Sequence, residues 1–287
     1  VLFTAAAQHN LKNGEAWRQL SVYLISIAFS IVFLLPLFWM VSTSLKTPDK
    51  IFSLPIQWLP QPIAWENYRK AFTVLPFELF YRNTLVITLS CIIGTLFSAS
   101  LVAYGFARLN FAGKNLWFTI MLSTMMLPSQ VTMIPIFAFF RSLGWVDSFK
   151  PLIVPSFFGG GAFNIFLLRQ FFMTIPVDIE EAARIDGCST FSIFYKIVLP
   201  LSKPVLTTIT IFTFIAHWND LMTPLIYINS LEKKTIAMGL LLFQGQYGTQ
   251  WELLMAAATI ALLPVLLLFF FLQRYFVEGI VMSGLKG

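Results

Sequence analysis

Long apolar runs alternate with shorter polar stretches along the whole chain. A helix rising about 1.5 Å per residue needs about 20 apolar residues to cross a hydrocarbon core of about 30 Å. Six runs meet that condition, at 20–41, 83–106, 116–137, 151–168, 205–228 and 251–271, and each predicts a membrane span. A polar leader, 1–19, precedes the first and carries Lys12, Glu15, Arg18 and a candidate interfacial anchor, Trp17. The connection 42–81 holds Pro48, Pro55, Pro60, Pro62 and Pro76, too polar to lie in lipid and too proline-rich to be one helix.

The spans differ in quality. Gly94, Ser98, Ala99 and Ser100 give the second a small-residue face for close packing. Pro128 and Pro135 break the third, with Ser129, Gln130 and Thr132 between them, which predicts a bent helix lining a cavity or a subunit contact. The fourth contains Gly159, Gly160, Gly161 and Asn164, read as a bend or a packing point. The fifth is the most polar, with Thr207, Thr208, Thr210, His217, Asn219, Asp220 and Pro224. The sixth is almost wholly apolar, ends at Arg274 and Tyr275, and leaves a short tail, 276–287.

Between the fourth and fifth spans lies a polar island, 176–204, whose chemistry predicts two short helices. Pro176 suits a first helical position, and Asp178, Glu180 and Glu181 place negative charge at the positive end of the helix dipole. Ile179, Ala182 and Ala183 share a face at helical spacing, thin enough for another surface to approach. Gly187 supplies a left-handed stop, Ser189 or Thr190 caps a second helix running to Val198, and Pro200 ends it.

The residues Glu181-Ala182-Ala183, Asp186-Gly187, Ile197, Leu199-Pro200 and Pro204 resemble the EAA loop of the membrane subunits of ATP-binding-cassette importers. The carbohydrate class is resembled further in SLKTPDKIF after the first span, in Asn67-Tyr68, in AYGFARL and in HWNDLMTPLIY. The resemblance implies an all-α integral membrane protein: six transmembrane helices in 20–275 with a cytoplasmic two-helix coupling loop at 176–204. It implies ATPase coupling through Glu180, Glu181, Ala182, Ala183, Asp186, Gly187, Ile197, Leu199 and Pro200. Its partners are expected to be a homologous permease, two ATPase subunits that bind ATP and magnesium, and an extracytoplasmic solute-binding protein. This chain itself is expected to hold no cofactor and to do no catalysis. The cargo class is sugars and oligosaccharides, acidic uronate oligomers included. Both termini are expected in the cytoplasm of a bacterium, the chain crossing its inner membrane repeatedly.

Composition agrees with a membrane protein: 57% of the 287 residues are hydrophobic and 11% charged, against roughly 25% charged in soluble domains. The formal charge of +6 is spread without a basic cluster, which favours lipid headgroups over nucleic acid as its partner. Lys and Arg divide almost evenly between the two sides of a six-span chain, so charge bias does not orient it. Cys91 and Cys188 sit in settings too unlike to predict a disulfide or a metal site. No G-x-x-x-x-G-K-[ST] occurs; Ala112-Gly113-Lys114-Asn115 lacks the first glycine and the hydroxyl. His217 and Asp220 lie three apart, a spacing also found in metal sites and proton relays, but two residues do not make a metal site. Gln130 and Asn164, polar residues of the two weakened spans, and His217, Asn219 and Asp220, in the stretch that resembles the carbohydrate class, are read as candidates for the translocation path or its gate. The competing reading is a secondary transporter driven by an ion gradient, which predicts an intramembrane ionisable network and inverted repeats.

Overall fold

A computed structural model of the protein describes the backbone at 2–245 and 248–284 and the side chains at 18–245 and 248–273. Lys12, Glu15 and Trp17 of the leader, and Arg274, Tyr275 and the tail, lie outside the described side chains. The helices in chain order are α1 (Leu2–Ser44), α2 (Pro48–Ile51), α3 (Glu66–Val74), α4 (Phe77–Arg108), α5 (Lys114–Ser123), α6 (Ser129–Ser142), α7 (Lys150–Ile153) and α8 (Ala162–Thr174). They continue with α9 (Val177–Ile185), α10 (Thr190–Ile193), α11 (Leu199–Leu201), α12 (Lys203–Trp218), α13 (Met222–Tyr227), α14 (Ile236–Leu241) and α15 (Trp251–Gly284). One antiparallel hairpin, β1 (Gln244–Gly245) with β2 (Gly248–Thr249), precedes α15.

Among the described residues four stretches are singly long and apolar enough to cross a membrane: Arg18–Ser44, Phe77–Arg108, Lys150–Thr174 and Trp251–Gln273. Two bent pairs complete six spans: Lys114–Met126 with Ser129–Ser142, turning 100°, and Thr190–Leu201 with Lys203–Trp218, turning 77°. The first bend falls at Pro128 alone. Leu127 before it is extended, as a residue preceding proline tends to be, whereas Pro135 is carried inside α6. The fourth span is interrupted by Gly159, Gly160 and Gly161, all at positive φ. A side chain on Gly160 would stand 2.8 Å from Thr95 Cγ2 and 2.9 Å from its Cα, so this glycine allows both the turn and the close approach to α4.

Two expected helices end elsewhere. The fifth span is not continuous over 205–228: α12 stops at Trp218 and α13 starts at Met222. Asn219 Nδ2 donates to Ile215 O and Asp220 Oδ1 accepts the Thr223 amide, local bonds that compete with the helical ladder, and Pro224 has no amide to give it. Pro200 does not end the second helix of the island either. A π turn over Phe194–Val198, closed by the Leu199 amide on Phe194 O, widens the backbone ahead of the proline ring, and the break falls at Ser202.

The chain forms two compact units, Val1–Ala71 with Phe243–Thr259, and Phe72–Leu242 with Ile260–Gly287. In the first, Asn67 Nδ2 donates to Ser44 O and Lys46 O at 2.9 and 2.8 Å, the Tyr68 and Ser44 hydroxyls meet at 2.8 Å, and the buried Lys46 amine lies over Trp39. The Asn-Tyr pair and the Ser-Leu-Lys turn thus form one knot. In the second, α4 is central, packed by α8 and α12. Its small-residue face takes the turn Val154–Phe157, with Ser98 Oγ donating to Ser156 O at 2.8 Å and the Phe157 ring against Gly94. One buried cluster joins Ala99, Ala103 and Tyr104 of α4 to Leu168 and Phe172 of α8, and continues into the island through Ala183, Ile193, Phe194 and Val198.

Candidate coupling site and cavity

The island bends at Gly187 between helical stretches, as the sequence predicts, and its polar side chains do two different jobs. α9 starts at Val177, Pro176 standing just outside it, with Asp178 and Glu180 in the first turn. It ends at a left-handed Gly187, φ +82°, where the Cys188 amide reaches Ala183 O at 2.9 Å and the Gly187 amide reaches Arg184 O at 3.0 Å. These two bonds make a Schellman stop and satisfy carbonyls a helix end would leave open. Asp186 holds the cap position and is exposed. Ser189, not Thr190, caps α10 by accepting the Ser192 amide.

Glu180 and Glu181 point to opposite sides. Glu180 is 1% exposed; its Oε1 meets Arg108 Nε at 2.6 Å and its Oε2 accepts the Tyr104 hydroxyl at 3.2 Å. Arg108 also donates to Ile175 O, so the last turn of α4 grips both the start of α9 and the strand of chain before it. Three residues along the same helical face, Ala183 is buried in the shared core. The expected common face of Ile179, Ala182 and Ala183 is therefore divided: Ile179, Glu181 and Ala182 face outward. With them stand Ile185 at 87% exposure, Phe191 at 68% and Tyr195 at 65%, apolar side chains held out of a loop that is otherwise polar. Ile197 and Leu199 are half-buried against the core and Pro200 is exposed. Sequence reasoning missed Arg108 and Tyr104. Their spacing of four on one helix face, at the polar end of a span, was the available signal.

Farther along the spans a cavity of about 620 Å³ gathers Gln130, His217 and Asp220, with Thr132, Phe139 and Tyr227 also in its wall. His217 is shared with a second cavity of about 380 Å³ that contains Asn164, whose Nδ2 donates to Gly160 O at 2.7 Å. The bends at Pro128, at the three glycines and after Trp218 bring these residues together. Asn219 lines neither cavity; it is exposed and bonded to its own helix. Asp220 has the local task of holding the start of α13. Trp218 fixes the top of α12, its Nε1 donating to Ala261 O at 2.9 Å while its ring stacks on Phe214.

A third polar cluster was not foreseen. Asp147, at φ +58°, accepts from the Asn229 and Ser230 amides at 3.0 and 2.9 Å and from Lys233 Nζ at 2.9 Å, joining the 143–149 loop to the 229–233 loop. These three donations, with a fourth from the Ser230 hydroxyl, hold its carboxyl well below the usual carboxylate range, the Lys233 contact foremost.

Residues 84–281 match the family described as the binding-protein-dependent transport system inner membrane component. The chain is 37% identical over 277 residues to a probable ABC transporter permease, YurM, of Bacillus subtilis strain 168, covering 95% of this chain and 88% of that one. It is 34% identical over 278 residues to the arabinooligosaccharides transport system permease AraQ of the same organism, covering 94% and 98%. Its fold matches a chain of a bacterial ABC transporter involved in import of the acidic polysaccharide alginate, with TM-score 0.80, 25% identity, and 91% and 97% of the two chains covered. The expectation of a secondary transporter is thereby set aside, since energy in this family comes from ATP. The chain belongs to the binding-protein-dependent transport system inner membrane components, the multi-pass permease subunits of ABC importers, which work with ATPase and binding-protein partners.

Proposed function

We propose that this permease carries oligosaccharides inward, paired with a homologous permease, coupled to two ATPase subunits that bind ATP and magnesium, and supplied by an extracytoplasmic binding protein. On this reading the coupling loop and both termini face the cytoplasm. The observation that carries the coupling role is the two-sided build of the island: Glu180 and Ala183 lock it to α4, while Glu181, Ala182, Ile185, Phe191 and Tyr195 stand free for a partner's cleft. A docking surface of exposed apolar side chains on a rigid base transmits displacement, where a mobile loop would absorb it.

The cargo class is supported by relatives such as the arabinooligosaccharide permease and by the cavity. Aromatic faces at Phe139 and Tyr227 with hydrogen-bonding groups at Gln130, Thr132 and His217 suit a ring with apolar faces and hydroxyl edges. Among the described residues the wall holds Asp220 and neither Lys nor Arg, so an acidic uronate oligomer would take its counter-charge from the second permease.

The test is uptake into proteoliposomes containing the assembled importer and its binding protein. ATP-dependent accumulation of a labelled oligosaccharide is expected, with neutral and uronate oligomers competed against each other. Accumulation driven by a proton or sodium gradient without ATP would overturn the reading.

A further inference from the structure

Two adjoining hollows at the coupling-loop end of α4, α5 and α8 are left unused by transport. The first, about 540 Å³, has Asn110, Lys114, Asn115 and Arg169 in its wall and, among the described residues, no carboxylate. Lys114 Nζ donates to Leu109 O at 2.9 Å; Arg169 Nε donates to Phe106 O at 3.2 Å, and its guanidinium lies over the Phe118 ring. Backbone carbonyls and a ring face orient these cations but do not neutralise them. The other cation acting on Lys114, Arg108, is already paired with Glu180.

The second hollow, about 790 Å³, is apolar, walled by Phe97, Val102, Phe106, Trp117, Ile120 and Phe158 among others, and it shares Phe111 with the first. From Phe106 to Phe97 it follows α4 for nine residues, roughly 14 Å toward the membrane interior. A basic head pocket opening onto an apolar groove has the division of an amphiphile. A free phosphate would use only the first hollow, and a hydrocarbon only the second.

We propose that the pair is a binding site for one anionic glycerophospholipid, its phosphate between Lys114 and Arg169 and one acyl chain along α4. Basic pockets between membrane helices hold anionic headgroups in this way, and Arg and Lys both serve phosphate oxygens. The site adjoins the turn in which Arg108 clamps the coupling loop, so the bound lipid braces the base of that loop. A helix of a partner subunit would have to supply an acid to the head pocket, whereas an anionic lipid brings its phosphate to every copy.

Native mass spectrometry of the assembled importer, titrated with dioleoylphosphatidylglycerol or dioleoylphosphatidylcholine, tests this. The wild type should retain one more phosphatidylglycerol than phosphatidylcholine. Lys114→Gln should weaken that retention about tenfold, the scale of one charge-assisted contact, and Lys114→Arg should restore it. Val102→Trp, which fills the groove, should also weaken it, and inorganic phosphate should not compete. Unchanged retention in Lys114→Gln overturns the site. So does displacement by inorganic phosphate with Val102→Trp silent, which marks a free-anion pocket. Loss of the partner permease from the Val102→Trp importer also overturns it, since protein then covers the groove.

Discussion

Glu180 and Gly187 act on the same loop by unrelated physics. Glu180 and Arg108 are both nearly excluded from solvent, so removing one charge strands the other; breaking such a pair costs about 3–5 kcal/mol. Glu180→Gln should therefore lower the melting temperature of the purified importer and loosen ATP hydrolysis from import, while Glu181→Gln, on the exposed side, should leave the melting temperature unchanged. Equal melting temperatures for the two variants would show that the clamp contributes nothing. Gly187 has no neighbour within 4 Å of an added Cβ, so its demand is for the backbone alone. At φ +82° an L-residue costs about 1–2 kcal/mol, and asparagine bears it best. Import should fall in the order glycine, asparagine, alanine, valine at this position, with all four chains inserted in the membrane. Full uptake by Gly187→Val would remove the Schellman stop from the coupling mechanism.

At the scale of elements, the Asp147 knot yields a pH dependence. Its folded carboxyl ionises well below an unfolded value near 4, so its stabilisation is complete above that value and is lost as the pH falls through it toward the folded one. Protection against hydrogen exchange at 229–233, taken relative to the intrinsic exchange rate at each pH, should fall in acid in the wild type and be low but nearly pH-independent over that window in Asp147→Asn, which keeps a residue tolerant of φ +58°. A wild-type profile flat in acid would contradict it. The knot was not legible in the sequence because its members are more than 80 residues apart and nothing in their local pattern announces them. What was legible is what local chemistry governs: six apolar runs, the Gly187 stop, the Ser189 cap, the bend at Pro128. The errors came where side chains or neighbouring turns overrode a local rule. Asn219 and Asp220 split the fifth span by bonding their own backbone, and a π turn let the helix continue past Pro200. Of the residues proposed for the path, Gln130, His217 and Asp220 meet in one cavity and Asn164 lines the next, while Asn219 is exposed and bonded to its own helix. Burial of Glu180 beside exposed Glu181 was not readable, because which of two adjacent acids turns inward depends on where Arg108 lies in space.

For the molecule as a whole, the coupling loop and the cavity lie at different levels of the spans, and α12 is one of two elements, with α4, that touch both. Its first residue follows the 77° turn at Ser202, whose hydroxyl is tied to Val198 O in the loop, and its last turns carry His217 into both cavities. Sixteen residues make a rod of about 24 Å. The lower half is buried against α4 and α8 through Val205 and Ile209, and the top is fixed by Trp218, so displacement at Ser202 reaches His217 only if the rod is stiff. Thr210→Pro tests this. The proline removes one helical hydrogen bond and adds a kink in mid-rod, costing about 3 kcal/mol, without touching the docking face or the cavity walls. The expected variant retains its ATPase subunits on purification and hydrolyses ATP, yet imports little; Thr210→Ala should behave as wild type. If Thr210→Pro imports normally, the stroke travels by another element, and α4, gripped by the same Arg108–Glu180 clamp and lining the larger cavity with Thr84 and Ile87, is the one to break next.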